Sequence, residues 1–282
     1  PQCTLGDNVV LNGTGLLSGR NTGIILSPAP PNSGIQFQTL DGISIPGRIT
    51  SLEDYQHAQS QQSFTANSTV LARENRRVRT VEHLMAALSM AGLDNVLIKA
   101  DEEIPNVDGS ALDFAQLLDE AGTVDQDAEV TEAVICEKLS IGEEDPDQKY
   151  LYVEPYDGFE VTMRVNYPPP ILEQQLTFNA EQDSFLNEIA PARSFNTFQN
   201  IDMAQKMGKV GSGYLNSHII IYDGKVINTE LRFTDEFVRH KILDLIGDLF
   251  LLGYPVRGRV VANMTSHGYN QALVQKMYSC FA

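Results

Sequence analysis

Apolar positions along this chain follow two rhythms, one of period two and one near 3.6, and stretches of each alternate. Gly23–Leu26 and Ile35–Gln38 read as short strands around the breaker-rich segment Ser27–Gly34, which predicts a hairpin. Arg79–Ala91 then reads as a helix. Thr80 supplies its cap, Leu84, Leu88 and Ala91 share a face, and Gly92 ends it. Asn95–Ala100 predicts a strand, Asp101–Gly109 an acidic loop, and Ser110–Glu120 a second helix with Gly122 as its stop.

Residues 122–132 contain almost no large apolar side chain, which places a boundary between residues 1–126 and 127–282. Strands then begin again. Phe159, Val161, Met163 and Val165 alternate with Glu160, Thr162 and Arg164, as in a half-buried antiparallel strand. Asp157-Gly158 and Asp223-Gly224 are hairpin turn signals. A long helix, Asp235–Leu252, a strand over Arg257–Ala262 and a C-terminal helix complete the chain. Strands followed by helices, twice over, predict an α+β protein of two domains, each with two layers.

Composition narrows what such a fold does. Lys and Arg number 20 against 37 Asp and Glu, a net charge of −17. Nucleic-acid binding needs clustered cations on phosphates. The densest cluster, Arg73, Arg76, Arg77 and Arg79, is short, holds Glu74, and reads as a solvated loop, so no nucleic-acid partner is expected. No apolar run approaches the roughly 18 residues of a membrane span. Cys3, Cys136 and Cys280 are scattered and form no CxxC pair, which fits a reducing cytoplasm rather than a disulfide scaffold. No signal-peptide pattern is visible from Pro1 onward.

The long helix carries the first chemical pattern. His240, Asp244 and Asp248 recur every four residues on one face, while Val238, Ile242, Leu245, Ile246 and Leu249 form a separate apolar stripe. The polar face reads either as solvated surface or as part of a zinc site, because imidazole and carboxylate one turn apart can chelate that ion. A third ligand must then come from elsewhere, and the remaining histidines are His57, His83, His218 and His267. Glu82 and His83 are neighbours on a helix and point about 100° apart, so one can hold a metal while the other reaches water. His267 lies between a strand and a helix, where catalytic groups are common.

Thr80-Val81-Glu82-His83-Leu84, Pro105-x-x-Asp108-Gly109-Ser110, Arg239-His240-Lys241-x-x-Asp244-x-x-x-Asp248-Leu249 and His267-x-x-Asn270 occur in that order, with Leu252-Gly253-x-Pro255 between the last two. Together they resemble the zinc-dependent UDP-3-O-acyl-N-acetylglucosamine deacetylases, which perform the committed step of lipid A synthesis. The resemblance implies His83, His240 and Asp244 as zinc ligands, Glu82 as general base, His267 as general acid, and Asp248 as its carboxylate partner. It implies Lys241 near the polar part of the substrate. Ala192-Arg193-Ser194-Phe195 resembles the family's Ala-Arg-Thr-Phe segment, which implies Ser194 at the oxyanion and Phe195 on the sugar or acyl chain. Arg193 joins Arg239 and Lys241 as a candidate cation for the pyrophosphate. The implied fold is a pair of α/β sandwiches packed face to face with the site between them.

Three segments depart from the family pattern. Leu17 stands at a usual histidine, Thr265-Ser266 precedes His267 without the usual glycine, and Gly211–Ser217 lacks an aspartate. These changes bear on substrate fit rather than on reaction type. Two alternatives stay open: a zinc deacetylase of another N-acyl amino sugar, and a non-catalytic sugar-nucleotide binding homologue. No obligate protein partner is expected.

Overall fold

The structure is a computed structural model and describes residues 1–53, 68–207 and 213–281. It is a mixed α+β chain. Its first large sheet has the order Val9–Thr14, Asn21–Pro28, Val96–Ala100, Ile35–Gln38, Ser44–Pro46. The second runs Leu139–Ile141, Tyr150–Glu154, Val256–Asn263, Phe159–Tyr167, Leu172–Asn179, with Ala133–Val134 also paired to Val256–Asn263. Smaller sheets pair Gln2–Leu5 with Thr123–Gln126, Val70–Arg73 with Arg76–Arg79, and Phe195–Thr197 with Ile219–Tyr222 and Lys225–Val226.

The expected hairpin across Ser27–Gly34 does not form. Val96–Ala100 lies between its two strands, antiparallel to one and parallel to the other. Residues 29–34 are long enough to step across an inserted strand, about 10 Å, and the strand with buried Val96, Ile98 and Ala100 takes the centre. The same happens at Asp157-Gly158: Val256–Asn263 separates the strands on either side of that turn. Asp223-Gly224 does close a hairpin, with φ of 49° and 67° as a two-residue primed turn requires. The arginine cluster is a hairpin, not a loop, with Arg76 on Asp41 at 2.6 Å and Arg77 on Glu53 at 2.7 Å.

The α-helices among the described residues are α1 (Glu82–Met90), α2 (Leu112–Ala121), α3 (Phe198–Lys206), α4 (Gly213–Ser217), α5 (Glu236–Phe250) and α6 (His267–Phe281). In α5 every residue except Arg239 and Lys241 is buried. Its apolar stripe meets the expectation, but the polar face is interior as well, which overturns the solvated-surface alternative. α5 packs against α1, α6 and the strands Phe159–Tyr167 and Leu172–Asn179. Alternation in Phe159–Tyr167 is as expected, with Val161, Met163 and Val165 fully buried and Thr162 and Arg164 turned outward. One apolar cluster takes in Ile24 and Phe37 of the first sheet, Leu84 of α1, Leu245 of α5, Met163 and Val260 of the second sheet, and Leu273 of α6. No helix among the described residues is long and apolar enough to cross a membrane.

Candidate metal centre and active site

α1 begins at Glu82, three residues later than the Arg79 start the sequence suggests. Thr80 adopts a left-handed φ of 58°, Val81 is the cap residue, and the Thr80 hydroxyl is buried without a hydrogen-bond partner among the described residues. A β-branched residue in this region is strained, by about 1–3 kcal/mol, and such strain concentrates at functional sites. Thr80 therefore turns the chain rather than capping it, and delivers Glu82 and His83 on the first turn of α1. Gly247 of α5 lies directly against that turn: a Cβ there would stand 2.0 Å from the Glu82 carbonyl oxygen. This close approach sets the Glu82-His83 pair beside the polar face of α5.

The ligand atoms of His83, His240 and Asp244 all fall within 4.8 Å of one another, and the three side chains are buried. Asp244 Oδ1 is 3.5 Å from His83 Nε2 and 3.4 Å from His240 Nε2. His240 Nδ1 donates to the Ala192 carbonyl at 3.0 Å, which fixes the tautomer and leaves Nε2 as a lone-pair donor. Burial, chiefly, lowers the pKa of His240 to about 4, so this imidazole is neutral as ligation requires. Burial alone would raise the Asp244 carboxyl, but Lys241, His240 and His267 hold it well below the usual range. Two imidazoles and a carboxylate form a donor set suited to zinc.

Around this cluster the other groups are ordered by hydrogen bonds. Glu82 Oε2 accepts from the Thr69 backbone at 2.9 Å, and its Oε1 lies 3.9 Å from His267 Nε2. Burial pushes the Glu82 carboxyl up. His267 Nδ1 donates to Asp248 Oδ2 at 2.7 Å. Asp248 also accepts from Thr69 Oγ1 at 2.6 Å and Asn270 Nδ2 at 2.8 Å. Burial would lower the His267 pKa, but the carboxylates of Asp248, Asp244 and Glu82 outweigh it and raise the value to about 9. Lys241 Nζ donates to Asp244 Oδ2 at 2.8 Å.

A cavity of about 520 Å³ collects Glu82, His83, Ser194, Phe195, His240, Lys241, Asp244 and His267 in its lining. Asp248 stands behind His267 with no exposed surface. Arg193 is the exception. Its guanidinium is held by Glu236, Thr229 and the Glu230 carbonyl, so the expectation that it meets substrate is not carried by this geometry. Arg239 is likewise tied to Asp235 and the Glu188 carbonyl. Among the described residues, the exposed cation lining the cavity is Lys149, which no sequence pattern marked. Ser194 Oγ donates to the Gly109 carbonyl at 3.0 Å, so its proton points to the backbone in this state. Phe195 packs edge-on against Phe237 and His240, with centroids 5.0 and 6.1 Å away.

The sequence profile of the LpxC family, UDP-3-O-acyl N-acetylglycosamine deacetylase, matches residues 2–279. The chain belongs to this family. The UDP-3-O-acyl-N-acetylglucosamine deacetylase of Neisseria meningitidis serogroup C (strain 053442) is 39% identical over 279 residues, covering 97% of this chain and 89% of the relative. The deacetylase of the same name from Neisseria gonorrhoeae (strain ATCC 700825 / FA 1090) matches with the same identity and coverage. That of Anaeromyxobacter dehalogenans (strain 2CP-C) is 39% identical over 280 residues, covering 98% of this chain and 87% of the relative. Family membership and the His83, His240 and Asp244 cluster agree on zinc as the cofactor.

Against the family pattern, Leu17 packs beside a second apolar cluster of Leu16, Ile201, Tyr214 and Ile220, and its backbone N–H donates to Glu103. His57, Gly211 and Ser212 lie outside the described residues. Two contributors escaped sequence reading. Thr69 bridges Glu82 and Asp248 and takes a further hydrogen bond from Gln271. The Ala192 carbonyl orients His240, and as a backbone group it leaves no trace in residue type.

Proposed function

We propose that the chain hydrolyses the N-acetyl group of UDP-3-O-acyl-N-acetylglucosamine and releases acetate, the committed step of lipid A synthesis. The observation that carries the proposal is the convergence of Glu82, His267 and the His83, His240 and Asp244 cluster in one cavity of a chain that belongs to the deacetylase family. Residues 1–126, with Glu82 and His83, and 127–282, with His240, Asp244 and His267, are read as two α/β sandwiches packed against each other. The three free thiols favour a cytoplasmic location.

An amide is a weak electrophile, and its amine leaves only once protonated. His83, His240 and Asp244 would hold zinc, which would supply a Lewis acid able to polarise a carbonyl and lower the pKa of water. Glu82 accepts the proton of the attacking water through Oε1, while the Thr69 amide fixes Oε2. His267 carries its proton on Nε2, because Nδ1 is committed to Asp248, and donates it to the departing nitrogen. Lys241 sets positive charge beside the developing oxyanion. Ser194 joins it once its hydroxyl turns from the Gly109 carbonyl. Lys149, at the cavity, is the cation for the pyrophosphate. Phe195 walls the site and braces His240.

Acetate release from UDP-3-O-acyl-N-acetylglucosamine, lost on chelation and restored by zinc, tests the proposal. Each buried methylene is worth about 0.8 kcal/mol, so UDP-N-acetylglucosamine without the acyl chain should be poorer by orders of magnitude in kcat/KM. Equal efficiency on both would refute this substrate and favour another N-acyl amino sugar.

The acid–base pair has a pH signature. Asp248→Asn removes a charge that holds the His267 pKa up, so the imidazolium gives up its proton at lower pH. The basic limb of kcat should move to lower pH by about 1–3 units, while the acidic limb, set by Glu82, stays nearly fixed. Profiles of the two proteins measured side by side decide it. An unmoved basic limb would detach Asp248 from the protonation of His267.

A further inference from the structure

His218 takes no part in the chemistry proposed above, yet it is buried in the wall of the same cavity. It follows α4 and opens onto the strand Ile219–Tyr222, with its ring 4.4 Å from that of Tyr214. Its tautomer can be deduced from its neighbour. Ser217 Oγ donates its single proton to the Gly213 carbonyl at 2.9 Å and accepts from Asn106 Nδ2 at 2.7 Å. The 3.3 Å contact between Ser217 Oγ and His218 Nδ1 therefore has the imidazole as donor. That leaves a lone pair on Nε2, which has no hydrogen-bond partner among the described residues. Burial, with His240 and His83 nearby, keeps the ring neutral, with a pKa of about 3.

An acceptor that opens onto the cavity is a ready partner for a hydroxyl of the bound ligand. We infer that His218 Nε2 accepts a hydrogen bond from a hydroxyl of the substrate's sugar ring and so helps to select that sugar. The inference rests on the deacetylase reading. There the acetamide occupies the space beside His83, His240 and Asp244, and its nitrogen faces His267. The nucleotide takes C1 and the acyl chain takes O3, so the remaining hydroxyl donors of the ring are those on C4 and C6.

The test compares acetate release from the parent substrate and its 4-deoxy and 6-deoxy analogues, using the unaltered chain, His218→Phe and His218→Gln. Phenylalanine keeps a ring against Tyr214 but has no acceptor, and glutamine returns an acceptor near the Nε2 position. The unaltered chain should lose about tenfold in kcat/KM on one analogue. His218→Phe should lose a similar factor on the parent, mainly through KM, and treat parent and that analogue alike. His218→Gln should recover part of the discrimination. His218→Leu replaces the phenylalanine variant if the latter does not fold. Equal efficiency of the unaltered chain on all three substrates would overturn the inference and leave the deacetylase reading standing. So would an unchanged parent-to-analogue ratio in His218→Phe. Absence of turnover of the parent by the unaltered chain would sink that reading and this inference with it.

Discussion

His240→Ala and Asp244→Ala should purify with almost no zinc, whereas Glu82→Gln should keep one zinc per chain and lose about 10²–10⁴-fold in kcat. The contrast follows from geometry. Asp244 Oδ1 lies within 3.5 Å of both imidazole Nε2 atoms, so removing Asp244 or His240 leaves two donors where a catalytic zinc site needs three. Asp244 also neutralises Lys241, and its loss would leave a half-buried, unpaired ammonium beside two imidazoles, which further disfavours a dication. Glu82 is not part of the cluster whose ligand atoms converge. Glutamine preserves its size and the bond from the Thr69 amide while removing its basicity. Metal analysis and turnover of the three purified proteins separate the roles. Full occupancy in Asp244→Ala would overturn the ligand assignment, and wild-type turnover in Glu82→Gln would remove the base.

Gly247→Ala should destabilise the protein and cripple it, although alanine is the better helix former by about 1 kcal/mol. In an isolated helix the change would help. Here the new Cβ would stand 2.0 Å from the Glu82 carbonyl oxygen and 2.8 Å from its carbon, and both belong to backbone that packing holds fixed. Overpacking of this kind costs about 1–3 kcal/mol. Its relief requires α1 and α5 to separate, which carries Glu82 and His83 away from Asp244 and Asp248. A displacement of about 1 Å at reacting groups costs about a hundredfold in rate. The urea midpoint should fall, and kcat should fall by at least about a hundredfold. A variant with unaltered midpoint, zinc content and turnover would show that the helices are free to adjust.

The helices of the site were legible because their signals are local. The four-residue spacing of His240, Asp244 and Asp248 puts them on one face whatever surrounds the helix. Whether that face met water or core was not local information, and only the packing of α1 and α6 against α5 decided it. Strand order failed for the same reason. Val96–Ala100 and Val256–Asn263 enter the centres of their sheets from far along the chain, and a turn signal is blind to such insertion. The anchorage of Arg193 was not legible because its partner, Glu236, is 43 residues away and wholly buried. Thr69 bonds Asp248 across 179 residues.

The continuous core has a thermodynamic consequence. Leu84 of α1 and Leu245 of α5 belong to the same apolar cluster as both large sheets, so separating residues 1–126 from 127–282 would hydrate both at once. The three metal-binding side chains come from those same two helices. Assembly of the cluster and assembly of the chain are thereby one equilibrium. An ion that binds only the assembled cluster adds RT ln(1 + [L]/Kd) to the stability of the whole protein, about 2.7 kcal/mol at a hundredfold excess over Kd. A chelator withdraws that increment from the distant strands as fully as from the ligands.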